Sequence, residues 1–184
     1  FFLILSVVST IYYHQKYINK RDTLLLRNVD ISKSIDASIL DAKLKNLKWI
    51  THHYPNNPKQ EIENLLDSIK IIKNDKRNKM IVTDYQFISV ILSIDGNAAS
   101  RIWWRHHIYP TLKEQHFLAW KKFLLKKIKD NNIQVIYTVH PLEGEKDILK
   151  DTIDEKCFSN SKINNILDLQ VLKSCKEIKI YTGL

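Results

Sequence analysis

Glycine is scarce, and that scarcity excludes more than any motif proposes. The 184 residues hold 3 glycines, Gly96, Gly144 and Gly183. A dinucleotide fingerprint, a phosphate-cradling P-loop and a Gly-x-Ser-x-Gly nucleophile elbow all need clustered glycines, so none is present. Cysteine is almost as rare. Cys157 and Cys175 are the only two, with no Cys-x-x-Cys spacing to make a redox pair or a zinc ribbon. Arginine is under-used as well, with 5 residues against 24 lysines. Arginine is the side chain that forks onto phosphates and guanines, so its lack weakens a nucleic-acid reading. Met80 is the only methionine and the chain opens on Phe1, which is expected of a fragment or a processed product. No internal repeat and no low-complexity tract is visible. Residue patterns by themselves assign no reaction.

What is present is charge and isoleucine. The net charge is +9, which invites an anionic partner. However, 26 Ile, 24 Lys and 14 Asn all have AT-rich codons. A biased genome makes such a chain basic without any ligand, and charge is evidence about solubility and association rather than fold. A generic solvated surface is therefore the favoured reading over a dedicated anion patch.

The first thirteen residues, Phe1 to Tyr13, carry no charge. They are too few to span a bilayer, which takes about 20 apolar residues. Tyr12, Tyr13 and Tyr17 follow on with Lys16, Lys20 and Arg21, an aromatic and basic collar suited to a membrane–water interface. No basic region precedes the apolar run and no small-x-small cleavage site follows, so a signal peptide fits less well. Residues 1–21 are expected to be the end of a transmembrane helix and its collar, with an N-terminal core helix as the alternative.

Residues 22–184 are expected to be one soluble α/β domain. The apolar run at Leu47 to Thr51 reads as a strand, and Asn57-Pro58 as the cap and first position of a helix. Ile62, Leu65, Leu66, Ile69 and Ile72 share one helical face, ending near Asn74. Met80 to Thr83 reads as a buried strand, and Asp84 as the cap of a helix through Leu92. A long helix carries Phe117, Trp120, Leu124 and Ile128 inward and Lys122, Lys126 and Lys129 outward. Ile133 to Val139 is the clearest strand. Leu142 to Lys156 is a charged connection of net −3. Ile163, Ile166, Leu167, Val171 and Leu172 suggest a last helix, and Glu177 to Thr182 a final strand. Such alternation predicts a small, mainly parallel, Rossmann-like sheet with helices on both faces.

Several segments could carry chemistry. Asp84 and Tyr85 fall where a strand hands over to a helix, the edge at which open α/β sheets collect ligands. Gln86 stands where a metal-nucleotide glycosyltransferase would want a second carboxylate, and a simple helix cap competes. Arg101, Trp103, Trp104 and Arg105 could stack on a sugar and hold a phosphate, or plug the core, or lie among lipid headgroups. Between Arg101 and Lys129 stand eight Lys/Arg and one acid, Glu114, a stripe that suits anionic headgroups as well as nucleic acid. His52-His53 and His106-His107 are adjacent pairs, which on a strand point to opposite faces and do not chelate one metal. No cofactor and no metal is expected. Cys157 and Cys175 would be two buried thiols in a reducing compartment, or a pair in an oxidising one, closing a loop worth about 3 kcal/mol.

Asn28 to Asp30 with Ser34 to Ser38, Leu47 to Thr51, Tyr54 to Pro58 with Glu61-Ile62, Lys79 to Ile88 and Asn132 to Tyr137 form a set. Together they resemble the soluble C-terminal domain of multi-pass, glycosyltransferase-like membrane proteins of SAR11-type marine alphaproteobacteria. The similarity covers most of residues 23–175, and Lys-Met-Ile-Val-Thr-Asp-Tyr-Gln-Phe-Ile-Ser is its most specific string. The resemblance implies an upstream membrane half that uses a polyprenyl-phosphate sugar, with its catalytic carboxylate in a loop outside this chain. It also implies a periplasmic domain in which Cys157 and Cys175 pair. The basic collar of Lys16, Lys20, Arg21 and Arg27 opposes that topology by the positive-inside rule.

The leading expectation is thus a non-catalytic, membrane-tethered accessory domain that orients an acceptor or a lipid-phosphate sugar near the membrane surface. Its partners would be the lipid surface and the upstream membrane domain. A basic nucleic-acid-binding domain and a metal-dependent hydrolase are the alternatives.

Overall fold

The computed structural model describes residues 2–17, 26, 28–98, 110, 112–140 and 152–173. These fall into two compact units, residues 1–62 and 63–184.

The first unit holds helix α1 (Phe2–Tyr17), a two-residue antiparallel ladder of β1 (Ile35–Asp36) and β2 (Lys48–Trp49), and the start of α2 (Pro58–Asn74). Between these lie single 3₁₀ turns. Each begins on an aspartate whose carboxylate accepts the amide two residues on: Asp30 from Ser32, Asp36 from Ser38, Asp41 from Lys43. A short acceptor side chain satisfies an orphan amide without a longer helix, which keeps the segment irregular yet ordered. Asn57 caps α2 as its sequence suggests, its Oδ1 accepting from Gln60 N at 3.2 Å.

The second unit is the α/β domain. Its sheet has the order β3-β4-β6-β5, made of β3 (Lys79–Thr83), β4 (Val135–Val139), β5 (Phe158–Lys162) and β6 (Leu167–Leu172). Only β3 and β4 run parallel; β4–β6 and β5–β6 are antiparallel. The sheet is therefore mixed and mostly antiparallel, which corrects the mainly parallel, Rossmann-like expectation. The cause is the stretch 158–172. Ile163, Ile166, Leu167, Val171 and Leu172 fit a helical stripe, but Leu167-Asp168-Leu169-Gln170-Val171 also alternates at the period of a strand. The alternation prevails because β6 is hydrogen-bonded on both sides, to β4 and to β5, with Asp168 meeting His140 on one sheet face. Asn164 turns the hairpin, its Oδ1 accepting the amides of Ile166 and Leu167 at 2.9 and 2.8 Å. The expected strand over Glu177 to Thr182 lies outside the described residues.

Helices cover both faces. One face carries Met80, Val82 and Ile136, packed with Leu124, Leu125 and Ile128 of α4 (Phe117–Asp130). The opposite face meets α2. There Lys79 Nζ donates to the Ile72 carbonyl at 2.8 Å, and the Tyr137 hydroxyl donates to Asp75 Oδ2 at 2.6 Å. Leu65, Ile69 and Ile72 are the buried apolar residues of α2 in this unit, and Ser68 is buried beside them. The outer edge of β3 is occupied: Ile81 N donates to Gly96 O at 2.7 Å and Asn97 Nδ2 to Lys79 O at 3.0 Å. A Cβ on Gly96 would come within 2.9 Å of Ser89 Oγ, so a larger residue there would need the serine hydroxyl to turn away.

Candidate functional site

The C-terminal ends of the one parallel strand pair are where an open α/β sheet offers a ligand its best-placed groups. On β3 that end is Thr83-Asp84-Tyr85. Thr83 Oγ1 accepts the Tyr85 amide at 2.9 Å, which turns the tyrosine inward and leaves Asp84 exposed. Helix α3 (Phe87–Leu92) then starts on Gln86 with no side-chain cap. Asp84 is not its cap, which corrects that expectation. The Gln86 amide, two residues on, donates to the Asp84 backbone carbonyl at 3.0 Å.

On β4 the strand end is His140, and sequence reading did not single it out. Its Nε2 lies 3.1 Å from Asp168 Oδ2, with both side chains about 95% enclosed (4% and 5% exposed). Two neighbouring polar groups share this face, Thr138 directly opposite Asp168 and Gln170 opposite Ile136. All four are buried. Nε2 is thus the ring nitrogen engaged by the carboxylate, and Nδ1 is the one left over. That Nδ1 is buried and has no hydrogen-bond partner among the described residues, and neither has Gln170 Oε1. An imidazole oriented by a carboxylate, with its second ring nitrogen buried and open, is equipped for one further hydrogen bond. The signal that could have found it is the Leu-Asp-Leu-Gln-Val alternation, which places two polar side chains on the face that also packs the core.

At the other end of the sheet Asp75, Arg77 and Tyr137 form a second polar group. Arg77 Nη2 and the Tyr137 hydroxyl both donate to Asp75 Oδ2, at 2.7 and 2.6 Å. The Arg77 hydrogen bonds hold the Asp75 carboxyl far below the usual carboxylate range. Burial, and then the bond to Asp75, push the Tyr137 phenol up to about 12.

The first unit contributes a buried carboxylate and an exposed helix. Glu61, fully buried, accepts from Trp49 Nε1 at 2.9 Å and from Thr51 Oγ1 at 3.0 Å. Helix α1 is the opposite case. Phe2, Leu3, Ile4, Leu5, Val7, Val8, Ile11, Tyr12 and Tyr13 are all half or more exposed, Phe2 at 88%. Their positions run right round the helix. Lys16 reaches back to the Tyr12 hydroxyl at 3.5 Å, its ammonium 5.4 Å from the ring centroid. Among the described residues no helix is long and apolar enough to cross a membrane.

The remaining expected features are scattered. Arg101, Trp103, Trp104, Arg105, His106 and His107 lie outside the described residues. The His52 and His53 rings lie tilted at 44° with centroids 3.6 Å apart; burial, and then its neighbour's charge, push His53 down to about 4. Among the described residues no three His, Cys, Asp or Glu side chains converge to hold a metal. Part of the lysine stripe is already engaged: Lys126 pairs with Asp130, and Lys127 Nζ donates to Ala98 O at 2.8 Å. Cys157 is buried and disulfide-bonded; Cys175 lies outside the described residues. Comparison with protein-family models, with curated proteins and with solved structures returns no match to this chain.

Proposed function

We propose that this chain is a membrane-tethered accessory domain, with α1 as its apolar tether. The observation that carries the reading is the exposure of α1 on every side. A helix lying flat on a bilayer buries one stripe and shows a charged face to water. This helix has no such face before His14 and Lys16, near its C-terminal end. Burying the seven aliphatic and phenyl side chains from Phe2 to Ile11 in hydrocarbon is worth on the order of 10 kcal/mol. At 1.5 Å per residue its 16 residues rise about 24 Å, against a hydrocarbon core of about 30 Å. End-on entry would bring Tyr12, Tyr13 and Lys16 to the headgroup level, where amphipathic rings and snorkelling lysines are favoured.

The test is flotation with neutral liposomes at high salt, where surface charge is screened. The full chain should float, and a Leu5→Lys/Val8→Lys variant should stay with the soluble fraction. Equal recovery of the two would remove the tether.

The resemblance extends this reading to a place beside a lipid-linked-sugar glycosyltransferase, whose transfer chemistry resides elsewhere. The domain would orient the acceptor or lipid-phosphate sugar through Asp84 and Tyr85 at the strand end and through Arg101, Trp103, Trp104 and Arg105. A gene that encodes no further membrane spans ahead of Phe1 would end that extension while leaving the tether intact. The same reading puts the domain in the periplasm with Cys157 joined to Cys175. Mass spectrometry of exported protein that finds two free thiols would contradict both.

A further inference from the structure

Away from the strand ends discussed above, a cavity of about 390 Å³ opens where α4 ends, β4 begins and β6 finishes. Its floor is apolar, made by Ile128, Ile133, Val171 and Leu172. Its rim carries three cationic side chains, Arg77, Lys129 and Lys173, and no acid. Such volume, with a few polar groups around an apolar base, is the usual form of a small-molecule site.

The local chain explains why positive charge prevails there. A helix C-terminus ordinarily presents orphan carbonyls that repel anions. In α4 those carbonyls are satisfied within the chain. Asn132 takes the left-handed conformation at φ 48°; its amide donates to Lys129 O at 2.9 Å and the Ile133 amide to Ile128 O at 2.9 Å. That pair is a Schellman closure with asparagine in the position glycine usually takes. Arg77 spends Nε and Nη2 on Asp75, whose charge it balances. Among the described residues Lys129 and Lys173 have no acidic partner, so the rim keeps two uncompensated cations. Gln134 Oε1 already accepts from Asn78 N at 3.2 Å, which leaves that amide its NH₂ donors.

We infer that this cavity binds a small phosphate-bearing ligand with an apolar portion, the anion on the lysine rim and the apolar part against Ile128, Ile133 and Leu172. The shared chemistry fits either a phospholipid headgroup or a free phosphorylated solute. The inference is independent of the α1 tether.

The experiment is titration of the full chain, carrying Leu5→Lys/Val8→Lys to remove tether binding, with inorganic phosphate, with phenyl phosphate and with monomeric dihexanoyl phosphatidate, followed by calorimetry. Saturable binding should appear at millimolar concentration, and Lys129→Gln/Lys173→Gln should weaken it by about tenfold or more, since two charge-assisted contacts are lost. An unchanged unfolding curve for that variant would separate lost binding from lost fold. Phosphatidate bound tighter than inorganic phosphate supports the site, and tighter also than phenyl phosphate assigns the lipid source over a free phosphorylated solute; phosphatidate bound no tighter than inorganic phosphate would overturn the apolar base. No saturable binding of any probe, or binding that the lysine substitutions leave intact, would overturn the site.

Discussion

Helices α1 and α2 differ by one residue in length, 16 against 17, and in nothing else are they alike. In α2 the apolar residues recur on one face, with Leu65 and Ile72 fully enclosed and Lys59, Glu63 and Lys73 in water. In α1 no face is charged ahead of His14, and no residue from Phe2 to Lys16 is enclosed. Helix length and propensity do not decide what a helix does; the arrangement of apolar side chains around its axis does. The one helix stabilises a fold, and the other has a surface that water does not satisfy.

That contrast can be broken or sharpened by substitution. The largest effect is expected in α2: Leu65→Ala or Ile72→Ala should cost about 2–5 kcal/mol in denaturant unfolding, through lost burial and the cavity left behind. The matched Leu5→Ala in α1 should leave the same curve unmoved. Replacing Glu61 in the first turn of α2 comes next. Glu61→Ala strands the Trp49 indole N–H and the Thr51 hydroxyl, for about 2–3 kcal/mol, and Glu61→Gln should recover part of it. Asn57→Ala removes the α2 cap and should cost about 1 kcal/mol. A result near zero there would mean that Pro58 alone starts the helix.

The smallest effects are those of pH, and they separate the two units. His53 is held near 4 when folded against 6.5 when free. Its contribution is therefore present above pH 6.5 and lost as pH falls toward 4. Tyr137 is held near 12 against 10.0. Its contribution is present below pH 10 and lost as pH rises toward 12. Asp75, held low by Arg77, adds an acid-side loss to the same unit as Tyr137. His53→Gln should flatten the limb between pH 6.5 and 4, as followed by melting temperature. Tyr137→Phe should flatten the alkaline one.

The helices and the two parallel strands were legible because their signals are local. Five apolar residues at helical spacing behind Asn57-Pro58 leave α2 little choice, and Ile133 to Val139 carries enough β-branched and aromatic character to mark β4. The hairpin was not legible. Phe158-Ser159-Asn160-Ser161-Lys162 is strand only because β6 lies beside it; its own composition favours a loop. For 163–172 two periods compete, and the winner was settled by pairing with β4 and β5; His140, which meets Asp168, stands 28 residues before it. The same separation hid the candidate dyad, because no spacing rule joins residues that meet only through strand register. Polar side chains on a core-facing strand are where local and global preferences disagree, and such disagreements gather at working sites. The tryptophan–arginine segment stands outside the described residues, so its three readings stand as they began.

The β3 edge has one more consequence. A sheet with a free outer strand can recruit a strand from a second copy, the usual start of runaway assembly. Here Gly96 and Asn97 occupy the outer hydrogen-bonding groups of Ile81 and Lys79. At the other end, β5 shows Ser159, Asn160, Ser161 and Lys162 to solvent, with no apolar face to hold an intruder. If α1 tethers the chain as proposed, copies gathered on one bilayer meet at concentrations far above those in bulk. Under that crowding the β3 edge offers them no template and the polar β5 edge a poor one.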